Sequence, residues 1–192
     1  IGSIRNAMQL SNGTILSWGA ENTLWLWSVD GEFITTLEGH TDWVSGAYQL
    51  SDGNILTWAD NSLHLWDMAG NLLAIMDGHT DIVMGAIETE VLFLGRTQIL
   101  SWGADNTIRT WELNGDVGAR YLGYANTING IIEIPKEGQV SWDNNTIQWL
   151  YAGEFQKAGV RHRLDIEGVI ALTGARVASW SAHELFVWSK WG

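Results

Sequence analysis

Apolar residues along the chain fall into short segments of five to seven, bounded by Gly, Asn, Asp or Ser. Residues 44–50, 55–59, 63–68 and 72–77 form one such set, with Ser51-Asp52-Gly53, Asp60-Asn61 and Ala69-Gly70-Asn71 between them. Asn-Gly and Asp-Gly steps tolerate the positive φ of tight hairpin turns. They recur at Asn12-Gly13, Asp30-Gly31 and Asn114-Gly115. No helical periodicity runs long enough to compete, so the fold is predicted to be all-β. Within the hairpin arms adjacent residues are both apolar (Ile15-Leu16, Ile55-Leu56, Ile99-Leu100). A sheet covered on both faces has that pattern.

The runs repeat. Ser17-Trp18, Thr57-Trp58, Ser101-Trp102, Ser141-Trp142 and Ser179-Trp180 recur at steps of 40, 44, 40 and 38. A second mark, Trp27, Trp66, Trp111, Leu150 and Trp188, follows at steps of 39, 45, 39 and 38. Two markers sharing one period near 40 define five units, bounded at about 1–39, 40–78, 79–124, 125–163 and 164–192. Four antiparallel strands cannot bury both faces alone, whereas stacking such units face to face does. The expected architecture is therefore a β-propeller of five four-stranded blades, the last lacking its fourth strand because unit five stops at its third, residues 185–188, and only residues 189–192 follow. A ring closed on five blades is expected over an open arc of a larger toroid, since naked end sheets would associate. The chain starts with Ile1 rather than Met, as a processed chain or an excised fragment would.

Particular residues resemble the WD-repeat family. Glu38-Gly39-His40-Thr41-Asp42 and Asp77-Gly78-His79-Thr80-Asp81 are similar to its Gly-His element. Asp60-Asn61-Ser62-Leu63-His64-Leu65-Trp66-Asp67 is similar to its closing Trp-Asp element, and residues 105–112 are a close variant. The resemblance implies a hydrogen-bonded relay of loop His, strand Ser or Thr, turn Asp and third-strand Trp within a blade. By motif position these are His40, Thr57, Asp60 and Trp66 in unit two, and His79, Ser101, Asp105 and Trp111 in unit three. Unit one has Glu21 in the Asp slot and no Gly-His, unit four has Asn144, and unit five has Ala182. It also implies a partner-binding face beside the start of each inner strand: Ser3 and Arg5, Trp43 and Ser45, Ile82 and Met84, Thr127 and Asn129, Asp165 and Glu167. Met84 is expected to be buried, and Trp43 to be either a contact residue or packed on a neighbouring loop.

Composition narrows the function. Ten Lys plus Arg against 22 Asp plus Glu leave a formal charge of −12, which argues against nucleic acid and anionic membrane as partners. There is no Cys, hence no thiol chemistry. The five His form no metal-binding pair, and Asp143-Asn144-Asn145 lacks the rest of a calcium loop, so it reads as a solvated turn and no metal or cofactor is expected. No nucleophile elbow, P-loop or dinucleotide motif is present. The expected function is non-catalytic binding of a protein or peptide, as a monomer or with self-association through the incomplete last blade. The alternative is a sugar-binding propeller with one pocket per blade. Two further segments are candidate surfaces: the insertion at residues 88–96, and the basic cluster Arg161-His162-Arg163 on an outer strand.

Overall fold

The computed structural model describes residues 3–91, 96–122, 126–134, 137–151, 154–161, 165–174 and 176–189. They form five antiparallel sheets, one per unit, in strict sequence order. Blade one holds β1 (Ile4–Gln9), β2 (Ile15–Gly19), β3 (Thr23–Trp27) and β4 (Phe33–Glu38). Blade two holds β5 (Val44–Gln49), β6 (Ile55–Ala59), β7 (Ser62–Trp66) and β8 (Leu72–Asp77). Blade three holds β9 (Val83–Val91), β10 (Arg96–Gly103), β11 (Ile108–Trp111) and β12 (Val117–Tyr121). Blade four holds β13 (Gly130–Ile134), β14 (Gly138–Trp142), β15 (Thr146–Tyr151) and β16 (Glu154–Arg161). Blade five has three strands, β17 (Gly168–Leu172), β18 (Arg176–Trp180) and β19 (Leu185–Ser189). The insertion in unit three lengthens β9 and β10, which continue pairing through Glu90↔Thr97 and Val91↔Arg96. Residues 92–95 and 162–163, and with them the apolar tip of the insertion and His162, lie outside the described residues.

Each blade presents two different apolar faces. Leu16, Leu24, Leu26 and Leu37 of blade one pack on Ile55 and Trp66 of blade two. Leu56, Leu63, Leu65 and Met76 of blade two meet Ile99 and Trp111 of blade three in the same way. Blade three meets blade four through Leu100, Ile108 and Ile131, and blade four meets blade five through Val140, Ile147, Trp149 and Val177. At about 25 cal/mol per Å² of apolar surface removed from water, these four interfaces are the main stabilising element of the fold. A fifth interface, which a closed five-bladed ring requires, is not formed among the described residues. Leu185 and Val187, the counterparts of Leu63 and Leu65, are 70% and 54% exposed. Trp25 on the outward face of blade one is nevertheless buried, at 6% exposed. Among the described residues, then, the outward face of blade five stands uncovered, where the expected closed ring would cover it.

The Trp of each Ser/Thr-Trp pair lies across the inner strand of its own blade. In blades two to five it lies flat on a glycine: Trp58 on Gly46, Trp102 on Gly85, Trp142 on Gly130 and Trp180 on Gly168. A Cβ at these glycines would sit 2.2–2.5 Å from the indole carbons, too close for any other residue. Blade one has Asn6 opposite Trp18.

Candidate functional site

The relay residues behave differently in the two blades that carry Gly-His. In blade three the indole Nε1 of Trp111 donates to Ser101 Oγ at 2.8 Å, and Ser101 Oγ lies 2.8 Å from His79 Nε2. His79 Nδ1 lies 3.1 Å from both oxygens of Asp105. Because the carboxylate only accepts, Nδ1 carries the proton, Nε2 accepts from Ser101, and every hydrogen runs in one direction. Asp105 also accepts from the Thr80 amide at 3.0 Å, the Thr107 amide at 3.1 Å and Thr107 Oγ1 at 2.7 Å. Burial works to raise its pKa, but these hydrogen bonds and His79 outweigh it, and the carboxyl is held below its usual range. Burial likewise lowers the pKa of His79 against the pull of Asp105, so the ring stays neutral.

In blade two Trp66 Nε1 donates to Thr57 Oγ1 at 2.8 Å and His40 Nε2 lies 2.7 Å from the same oxygen. The relay stops there, because Asp60 is exposed and makes no contact with His40. Two sequence differences cause this. Unit two has one residue fewer between the Thr and the Trp, so Asp60-Asn61 is a two-residue turn closing on Ala59↔Ser62, with Asp60 at φ 47°. Ala59 also replaces Gly103, where a Cβ would come within 2.7 Å of His79 Nδ1 and 3.0 Å of Asp105. Asp60 is thus corrected from a relay residue to a turn residue. In its stead His64 stacks on His40, ring centroids 3.8 Å apart and planes 14° apart. Both imidazoles are buried with their Nδ1 atoms unpaired. Burial, and then the charge of His64, push the His40 pKa down to about 3. Burial lowers that of His64, with Asp77 opposing.

The Ser–Trp bond extends further than the Gly-His motif. Trp27 donates to Ser17 at 2.8 Å and Trp188 to Ser179 at 2.7 Å. Asp143, expected in a solvated turn, is instead 1% exposed and accepts from the Asn145 and Thr146 amides. This Asx turn stands in for the missing relay in blade four.

At the Gly-His end, period-2 alternation buries Val44, Val83, Ile128 and Ile166 and turns their neighbours outward. Trp43 is 56%, Ile82 47% and Met84 50% exposed, while Arg5, Ser45, Asn129, Asp165 and Glu167 are exposed and Thr127 is half-buried. Met84 is therefore a surface residue, contrary to expectation, because Gly85 beside it takes the place under Trp102. The Arg5 guanidinium lies 4.7 Å from the Trp43 ring centroid, a cation–π contact joining blades one and two. Backbone bonds tie adjacent blades at this end: Val44 N to Glu21 O, Val83 N to Asp60 O and Ile166 N to Asn144 O. A recess of about 300 Å³ lies beside Trp43, lined by Ala20, Glu21, Asn22, Thr41 and Asp42.

At the other end of the inner strands the structure joins the start of the 88–96 insertion to residues that sequence reasoning missed. Glu88, Glu90 and Glu133 line a cavity of about 460 Å³ with Tyr48, Ser51, Thr89 and Thr97. Glu88 accepts from the Ser51 amide at 2.6 Å and from Ser51 Oγ at 2.8 Å, as Gln49 accepts from the Ser11 amide at 2.7 Å. Gln49 and Glu88 occupy the same register position in their blades, which was the available signal. Burial raises the Glu133 pKa, and the charges of Glu90 and Glu88 add to this. No group of three metal-ligating side chains occurs among the described residues.

No protein-family model matches the sequence, and comparison with curated proteins finds no match. Among solved structures, the WD40 β-propeller domain of Doa1 superimposes with a TM-score of 0.73 at 18% identity. The match covers 98% of this chain and 65% of that one, so the chain spans less than two thirds of that neighbour's length. The fold is that of a WD-repeat β-propeller.

Proposed function

We propose that this propeller is a non-catalytic scaffold or sensor that binds a protein or peptide on the Gly-His end, centred on Trp43. The observation that carries this reading is the exposure of Trp43, the one Trp in the exposed class among the described residues. Its ring is oriented by Arg5, and Ile82 and Met84 extend the apolar surface on the next blade. Trp and Met are typical contact anchors. Asp42, Asp81, Asp165 and Glu167 are exposed on the same end, so an apolar side chain flanked by Lys or Arg is the complementary partner. The propeller fold of the Doa1 neighbour is consistent with an interaction module. The sugar-binding reading lacks support, because the repeated Trp residues lie in strands and not in exposed loops. A random peptide library selected against the chain tests the proposal. Selected peptides should lose about tenfold or more in affinity against Trp43→Ala. Peptides that bind Trp43→Ala and Ile82→Ser as tightly as the parent would place the binding surface elsewhere.

A further inference from the structure

Arg109 on β11 stands directly across from Arg120 on β12, so both side chains belong to one face of blade three. The same cross-strand position holds Trp25 opposite Thr36 in blade one and His64 opposite Ile75 in blade two. Two cations here are thus a feature of blade three and not of the repeat. Arg109 is 7% exposed, its head lies beside Gly78, and its Nε has no hydrogen-bond partner. Arg120 is exposed.

Among the described residues neither arginine forms an ion pair with a carboxylate. Among the described residues the ion pairs are His79–Asp105 and Arg96–Glu112. Asp105 is the acid whose charge reaches Arg109, but His79, Thr80 and Thr107 already occupy its oxygens. Burying the Nε–H of a guanidinium without a hydrogen-bond partner is costly, and a like charge directly opposite adds to the cost. A chain with 22 acidic residues leaves this pair unneutralised. Packing alone does not account for it, since Trp25 fills the same place in blade one without a charge.

We propose that Arg109 and Arg120 form a binding site for a dianionic oxyanion, a phosphate or sulfate group. Two guanidinium groups match two negative charges, and each offers paired N–H donors to neighbouring oxygens. The acidic surface elsewhere opposes an extended polyanion, which restricts the ligand to a small anion or a single such group on a larger molecule. This site does not depend on the Trp43 reading.

Thermal unfolding in inorganic phosphate tests the proposal, with sodium chloride and sodium acetate at equal ionic strength as comparisons. Phosphate should raise the midpoint by about 3 °C more than either salt, and isothermal titration should register saturable binding. Arg120→Gln, at an exposed position, should abolish both effects. Arg109→His, which installs the residue of blade two, should do the same. An equal shift with acetate, an excess that survives in Arg120→Gln, or no excess over chloride would each overturn the proposal.

Discussion

Blades two and three share a Gly-His loop, a hydroxyl and a buried Trp, yet they satisfy the loop histidine by opposite means. Blade three gives His79 a carboxylate that is itself saturated with donors. Blade two gives His40 a second imidazole and leaves two ring nitrogens unpaired in a buried site. The cause is local, a turn one residue shorter and a methyl group at Ala59 where Gly103 makes room. A buried polar network is stabilising only when complete. Blade three should therefore depend on its acid, and blade two should depend on its histidines staying neutral.

The largest expected effect is that of pH. His40 in the folded chain titrates near 3 rather than 6.5, so below pH 6.5 the unfolded chain takes up a proton that the folded one refuses. Its contribution is fully present above pH 6.5 and is lost as pH falls toward 3. The slope is about 1.4 kcal/mol per pH unit for one such group. Urea midpoints should thus fall between pH 6.5 and 4 in the parent and less steeply in His40→Gln. Identical slopes would show that the stacked pair does not control acid stability.

Next in size, Asp105→Ala should cost about 1–3 kcal/mol by stranding the donors of His79 and Thr107. Gly103→Ala should cost a similar amount by displacing His79 from Asp105, and adding Asp105→Ala to it should cost little more. Additive losses would show that the two positions act independently. The smallest effect is at Asp60. Asp60→Gly should be neutral or stabilise by up to about 1 kcal/mol, because its φ is positive and its carboxylate faces water. A loss as large as that of Asp105→Ala would dissolve the distinction between the two blades.

Much of this was legible beforehand, because the repeat is local and periodic. Trp spacing alone located the five sheets, and the pairing Ile55↔Trp66 and Ile99↔Trp111 follows from aligned units. The exposure of Met84 follows from strict alternation after Val83 and could have been read the same way. Motif position assigns Asp60 to the relay, but the segment between Thr57 and Trp66 is one residue shorter than its counterpart in blade three and puts Asp60 in a tight turn. The Glu88–Glu133 cavity and the Arg109–Arg120 pair were not legible, since they depend on which blades and strands become neighbours. The open face of blade five is of the same kind. Whether apolar Leu185 and Val187 are covered is decided by how all the blades stack, which no single unit encodes.

The glycine under the Ser/Thr-Trp indole of blades two to five has a consequence for how such a chain can change over generations. Enlarging the glycine collides with the ring, and shrinking the ring leaves a hole above the glycine. In those four blades a single step away from the pair is penalised, whereas blade one, with Asn6 opposite Trp18, has already left it. Duplication of an entire unit copies both at once and meets no such barrier. Growth by whole blades is thereby easier than drift within one, and the sameness of the units is preserved by their packing.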